Sequence, residues 1–262
     1  LKGLSETHKS EIPVIVVGNL TIGGTGKTPL VKYIALKLLN LGYKPGLVSR
    51  GYGGTFKETL LVTDQTPVKQ TGDEAQILAT LNLPFYIDKS RVRAVKAITD
   101  HHDCDVIISD DGLQHYKMNR DIEIVVIDGK RRFGNNLTFP AGPLRESKAR
   151  LNSVDLIVNN SGPTDEGEYL MSVSPSRFVH LKSGKSYPIE GWPMHKQVHA
   201  VAGLGNPGRF FDLLARLGFD IIRHPFQDHH NFLEQDIYYL DHLHIVMTEK
   251  DASKCKDFDN NK

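Results

Sequence analysis

The octapeptide Thr21-Ile22-Gly23-Gly24-Thr25-Gly26-Lys27-Thr28 brings together the groups that grip a chain of phosphates. Glycines free backbone N–H groups to converge on phosphate oxygens, and a lysine adds point charge. A helix starting behind the loop contributes its positive end. On this reading residues 21–28 cradle a nucleotide, Lys27 meets its phosphates, and the Thr28 hydroxyl is placed to ligate Mg²⁺. The strict pattern is G-x-x-x-x-G-K-S/T, and Thr21 stands where its first glycine would be.

Such a loop needs an acid on a neighbouring strand to hold the magnesium, and an apolar run ending in aspartate is the signature. Residues 105–109 (DVIIS) run into Asp110 and Asp111, followed by GLQH. Asp128, at the end of IEIVVID, has the same placement and is equally a turn former or a ligand. Arg145 and Glu146 follow a proline-glycine loop in FPAGPLRE. A planar arginine there would suit a phosphoryl group in transfer.

Other strings compete. GLGNPG, with Gly203, Gly205 and Gly208, satisfies a dinucleotide fingerprint, with Asp228 about 20 residues farther on. The histidine pairs, including His229-His230 in QDHHNF, invite metal binding or proton transfer. TEKD (248–251) misses the guanine-specifying N/T-K-x-D by one position, so GTP is disfavoured.

Elements must place these groups. The β-branched run IPVIVVG (12–18) reads as a buried parallel strand, and Pro29 followed by Leu30, Ile34, Leu38 and Leu41 reads as a helix ending at Gly42. A second strand runs from Pro45 into SRGYGG, and GDEAQILATLNLP reads as an amphipathic helix closed by Pro84. Further strands are expected at 85–87, 105–109, 122–127 and 154–158. The alternation predicts an α/β fold, a P-loop NTPase-type doubly wound parallel sheet. From about Ser172 the pattern changes to short hairpins, and a second α/β unit begins at His199. The expected domains are a P-loop core over 1–172 and, over 173–262, linker strands with a smaller C-terminal α/β domain.

Lys plus Arg (32) nearly balance Asp plus Glu (31), so nothing in the overall charge draws the chain to nucleic acid. Two cysteines without CxxC spacing indicate neither a disulfide framework nor a structural metal, and a reducing cytoplasm fits. No run reaches the roughly 20 apolar residues of a membrane span, and the chain as given is expected to be soluble. The first residue is Leu1 and the last stretch is the polar KDFDNNK, so segments at both ends, a membrane anchor among them, are expected to be missing.

Taken together, PVIVVGNLTIGGTGKTP, SRGYGG, GDEA, SDDGLQH, FPAGPLRE, AGLGNPGRFF, DHH and MTEKDASK resemble the tetraacyldisaccharide 4′-kinase (lipid A 4′-kinase) family over residues 13–254. The resemblance implies an ATP- and Mg²⁺-dependent kinase. It would phosphorylate the 4′-hydroxyl of a tetraacyl glucosamine disaccharide 1-phosphate, peripherally at the cytoplasmic face of the bacterial inner membrane. No protein partner is implied. By matching motif, Lys27 and Thr28 would bind phosphates and Mg²⁺, and Asp110 and Asp111 would hold the metal and its water shell. Asp73 of GDEA would be the catalytic aspartate, paired with His229, and Arg145 would contact the phosphoryl region. The family's N-terminal membrane-meeting helix and the last elements of its C-terminal domain are expected to be missing from the sequence as given. Two other readings are weighed against it: a regulatory P-loop ATPase needing no acceptor, and a dinucleotide-dependent enzyme using GLGNPG.

Overall fold

A computed structural model describes residues 7–256 and Phe258. The polar end beyond Lys256, Phe258 aside, therefore lies outside the described residues, as do residues 1–6. The chain divides into two compact units, Leu1–Val173 and Ser174–Lys262.

In the first unit the elements run β1 (Val14–Gly18), α1 (Lys27–Asn40), β2 (Pro45–Ser49), β3 (Leu60–Leu61), α2 (Val68–Thr71), α3 (Asp73–Ala79), β4 (Phe85–Ile87), α4 (Arg91–His101), β5 (Val106–Asp110), β6 (Ile122–Asp128), β7 (Leu156–Asn160) and β8 (Glu168–Met171). One sheet holds all eight strands in the order β3-β4-β2-β5-β1-β6-β7-β8. Every pairing is parallel except β3 with β4.

The pleat explains why the strands read as continuous apolar runs. Val14, Val16, Val48, Ile107 and Val125 pack on one face with Ala94, Val95 and Ile98 of α4. Their neighbours Val17, Leu47, Ile108 and Val126 pack on the other with Leu30 and Val31 of α1 and Leu78 of α3. A sheet covered on both faces has no polar side to alternate with. Because β1 lies between β5 and β6, connections leave its two sides in opposite directions. The loops at the carboxyl ends of β1, β2, β5, β6 and β7 therefore gather at the switch point, where open α/β sheets bind ligands.

Several boundaries differ from the sequence reading. The helix expected over GDEAQILATLNLP stops at Ala79, because Thr80 ends the turn and Asn82 takes a left-handed φ of 54°. The strand expected at 154–158 runs from Leu156 to Asn160, since Val154 belongs to the exit of a short 3-10 turn. β8, unforeseen, adds a parallel strand at the sheet edge.

The second unit contains an antiparallel hairpin of β9 (Arg177–Val179) and β10 (Ser186–Pro188). A three-stranded parallel sheet follows, built from β11 (Gln197–Ala202), β12 (Asp220–Pro225) and β13 (His244–Met247) in the order β12-β11-β13. Helix α5 (Pro207–Arg216), entered through Pro207 at its first turn, packs Phe211 and Leu214 against Val198, Ala200 and Ala202. A last short helix, α6 (Glu249–Ala252), is capped by the Thr248 side chain. No helix among the described residues is long and apolar enough to cross a membrane.

Candidate active site

The phosphate loop leaves β1 at Gly18, where a Cβ would collide with Leu113. Asn19, fully buried, holds the loop's shape by donating from Nδ2 to the carbonyl oxygens of Thr21 (2.7 Å) and Gly23 (3.3 Å). Gly23 and Gly26 have φ of 97° and 95°, a region that L side chains avoid. A Cβ on Gly26 would also overlap Asn160, whose Nδ2 donates to Thr25 O at 2.9 Å from the end of β7. Gly24 has open space where a Cβ would stand. Helix α1 begins at Lys27 with no side-chain cap, so its first N–H groups face the loop without an internal acceptor. Such an uncapped start suits the binding of an anion.

Lys27 is only 8% exposed, and its Nζ lies 3.4 Å from Asp111 Oδ1. Asp111 also accepts from Arg145 Nη1 at 2.9 and 3.0 Å, and its backbone carbonyl accepts from the buried Arg91 at 2.9 Å. Burial works against the Asp111 carboxylate, but Lys27 and Arg145 outweigh it and hold its pKa below the usual range. Arg91 pays for burial in the other direction, with its pKa brought down to about 10.

Asp110 is the opposite case. At the end of β5 it is 1% exposed, and neither carboxylate oxygen has a hydrogen-bond partner. Burial and the nearby Glu74 push its pKa up to about 7, with Lys27 opposing. A buried carboxylate with nothing to accept is costly, and it persists in functional sites where a cation completes it. Hard oxygen donors are what Mg²⁺ takes, with waters and phosphates filling the remaining positions. Asp110 and the Thr28 hydroxyl therefore fit a magnesium site. Asp111, already engaged by two cations, fits an outer position.

Asp128 proves a turn former. Oδ1 accepts from the backbone of Lys130 and Arg131 (3.0 and 3.1 Å), and Oδ2 pairs with Arg131, which reaches Gly24 O at 3.2 Å. The carboxylate thus bears on the phosphate loop through an arginine. Glu146 accepts from Gln114 Nε2 at 2.9 Å and from the Tyr116 hydroxyl, and Gln114 Nε2 also donates to Asn19 O at 3.1 Å.

Asp73 is the first residue of α3, half-buried, with Glu74 beside it. Its position is fixed from behind, because Gly72 (φ 83°) lies so close to Tyr52 O that any Cβ would overlap it, and a Cβ on Gly54 would overlap Gln70 O. Gly54 and Gly72 therefore serve one purpose: they let the loop after β2 lie directly on the segment from Gln70 to Gly72 that leads into α3. Among the expected site residues, the structure gathers 21–28, Asp110, Asp111 and Arg145 at the carboxyl edge of one sheet.

His229 belongs to the second unit. Its backbone is left-handed, φ 60°, and its N–H donates to Asp228 Oδ1 at 3.0 Å. Asp228 pairs with Lys250 at 3.1 Å, and Lys250 and His229 keep its pKa low against burial. In the same unit GLGNPG joins β11 to α5, as the dinucleotide reading required. Its surroundings oppose that reading: Asp228 Oδ2 lies 2.9 Å from where a Cβ on Gly205 would be, and Gly203 N donates to the buried Asp251 at 3.2 Å. Two carboxylates face the turn where a pyrophosphate would need donors. Among the described residues no group of three His, Cys, Asp or Glu side chains is arranged to hold a metal ion, and both cysteines are free thiols.

Asn19, Asn160, Arg91 and Gln114 support the site and were not singled out from the sequence. Signals existed for two of them. An apolar strand ending in Asn159-Asn160 places polar groups where the sheet meets ligand. Arg91 puts a cation in the first turn of α4, against the helix dipole.

The comparisons agree with this geometry. The family model described as LpxK, tetraacyldisaccharide-1-P 4′-kinase, matches residues 1–262. A tetraacyldisaccharide 4′-kinase of Nitrosococcus oceani is 48% identical over 257 residues, 97% of this chain and 75% of that protein. One from Ruthia magnifica subsp. Calyptogena magnifica is 47% identical over 257 residues, 97% of this chain and 81% of that protein. Among solved structures, LpxK from Aquifex aeolicus in complex with ATP superposes with a TM-score of 0.81 at 29% identity, covering 99% of this chain and 84% of that one. With a P-loop core of matching design and a family match along its whole length, the chain belongs to the tetraacyldisaccharide 4′-kinase family.

Proposed function

We propose that this chain binds ATP on residues 21–28 and transfers its γ-phosphoryl group to the 4′-hydroxyl of a tetraacyl glucosamine disaccharide 1-phosphate, a step of lipid A biosynthesis. The observation that carries the reading is Asp110: a buried carboxylate without partners, at the strand end beside the phosphate loop and its lysine. Mg²⁺, held by Thr28 and Asp110 with Asp111 bearing on its water shell, would neutralise charge on the phosphates.

The chain's own groups have distinct tasks. Backbone N–H groups at Gly23, Gly24 and Gly26 and the start of α1 hold the phosphates, with Lys27 supplying charge against the transferring group. Arg145 is anchored by Asp111 and would meet the developing charge on the same group. In the transfer the acceptor oxygen forms the new bond to the γ-phosphorus, the bond from that phosphorus to the bridging oxygen of ADP breaks, and the hydroxyl proton must leave. We assign that proton to the Asp73 carboxylate, with His229 as its proposed partner in orienting or tuning the acid. A sugar hydroxyl is a poor nucleophile, so a positioned base is worth roughly 10²–10⁴ in rate. The acceptor is a lipid, and peripheral contact with the cytoplasmic face of the inner membrane is part of the proposal.

The test measures ADP release with and without the tetraacyldisaccharide 1-phosphate. The proposal expects release to require the acceptor and to fall by orders of magnitude in Asp73→Ala and His229→Ala. Rapid hydrolysis indifferent to the lipid would instead identify a regulatory ATPase.

A further inference from the structure

The loop of residues 134–142, between β6 and β7, exposes Leu137 (51%) and Phe139 (68%). Single exposed apolar residues need no explanation. These two differ because their backbone is tied in place. Asn135 Nδ2 donates to Ala141 O at 2.9 Å, Leu137 N to Asn135 Oδ1 at 3.1 Å, and Gly142 N to Thr138 O at 3.1 Å. Phe139 N donates to Leu144 O at 2.7 Å and Leu144 N to Leu137 O at 3.1 Å, with the Leu144 side chain fully buried as an anchor. A loop braced in this way holds its apolar side chains outward.

The loop is also stitched to the phosphate loop. Thr21 bridges Leu144, and Ile22 N donates to Pro143 O at 2.8 Å, leaving the Ile22 side chain 46% exposed. Three exposed apolar side chains thus belong to one braced edge of the candidate active site. Residues 130–145 contain no Asp or Glu; of their four cations Arg131, Arg132 and Arg145 pair with Asp128, with Asp165 and Glu168, and with Asp111, so the basic character at the surface rests on Lys130 and, just beyond, Lys148. Lys130 and Lys148 are exposed, and Lys148 Nζ lies 5.1 Å from the ring of Phe133 at the base of the loop. An apolar tip with cations behind it matches a bilayer interface, where acyl chains lie beneath anionic headgroups.

We propose that this loop enters the headgroup and upper acyl region of an anionic bilayer, and so brings the phosphate-loop edge to the membrane that carries the acceptor. The inference rests on the lipid-acceptor reading above. Sedimentation with vesicles of phosphatidylethanolamine and phosphatidylglycerol tests it, alongside phosphotransfer to acceptor dispersed in detergent micelles. The double variant Leu137→Ser, Phe139→Ser is expected to lower the vesicle partition coefficient by about tenfold or more while leaving turnover in micelles unchanged. Lys130→Gln with Lys148→Gln is expected to weaken binding to these vesicles severalfold and to change nothing on neutral ones. In a Trp192→Phe background, Phe139→Trp should show blue-shifted emission quenched by brominated lipid.

Wild-type chain that ignores these vesicles, or a double variant that partitions like wild type, overturns the proposal. So does a double variant whose only change is loss of a solution dimer, which would make the tip an interface between two copies. Loop-dependent vesicle binding by a chain that transfers no phosphate would support the loop's role and overturn the kinase reading alone.

Discussion

Replacing Asp110 by asparagine keeps the shape of the side chain and removes its charge. The carboxylate is buried with no donor on either oxygen, and burial together with the nearby Glu74 pushes its pKa up to about 7 from an ordinary 3.8. Each pKa unit corresponds to about 1.4 kcal/mol, so the ionised form costs up to about 4 kcal/mol of folding free energy. Water entering the site would reduce this, leaving roughly 2 to 4 kcal/mol. The sign follows from linkage. The folded state holds its proton to higher pH than the unfolded state, so the penalty is absent below about pH 4, grows between pH 4 and 7, and is complete above 7. Asp110→Asn, metal-free, should therefore raise the melting temperature of the P-loop unit at pH 8. At about 2–4 °C per kcal/mol for a unit of this size, the rise is roughly 5–15 °C, shrinking towards zero near pH 4. The same variant should lose most of the stabilisation that MgATP confers and most of its turnover. Differential scanning fluorimetry across pH, with chelator or with MgATP, reads both effects. A variant that is less stable than wild type without metal at pH 8, yet is still stabilised by MgATP, would refute the assignment of Asp110 as a cation site.

Three further outcomes follow from particular contacts. Lys27→Ala removes the charge beside the transferring phosphoryl group and frees Asp111 from one of its cations. Single-turnover kinetics should show a rate loss of about 10²–10³. Gly72→Ala puts a methyl group onto Tyr52 O at a φ of 83°, which should shift the start of α3 and lower turnover about as much as Asp73→Ala, while chemical denaturation shows a loss of a few kcal/mol. Glu168, hydrogen-bonded by Arg132 and Asn159, has its pKa lowered to about 2 from 4.5, chiefly by Arg132. Its contribution is whole above about pH 4.5 and is lost as pH falls through about 2. Urea denaturation of Glu168→Gln should thus show a deficit of roughly 2 to 3 kcal/mol at neutral pH that narrows on acidification through that window.

What the sequence disclosed is governed by range. The phosphate loop, its strand and its helix are contiguous, so residues 14–40 could be read directly. Asp110 stood out because a strand end is a local feature. Which of Asp110 and Asp111 faces a cation depends on Arg145, 34 positions on, and on Arg91, 20 back, and no local pattern encodes those meetings. Asp128 read equally as a turn former or a ligand because it ends a strand as Asp110 does; only the turn it closes over Lys130 and Arg131 separates them. Asp73 reads locally as the start of a helix and gained its proposed role from the family resemblance alone. Gly54 and Gly72, 18 residues apart, are explained by a backbone approach that a linear reading cannot supply. GLGNPG matched its fingerprint fully and stood only as a rival reading; the fingerprint does not show that the fold brings the carboxylates of Asp228 and Asp251 to the turn itself.

The most direct test of the central claim is to incubate the chain with MgATP and the tetraacyldisaccharide 1-phosphate and to locate phosphorus in the product by ³¹P NMR and mass spectrometry. The account predicts one added phosphomonoester at the 4′-hydroxyl, formed with ADP in equal amounts and missing with Asp73→Ala. ADP formed while the disaccharide stays unchanged, or phosphate on any other oxygen, would contradict it.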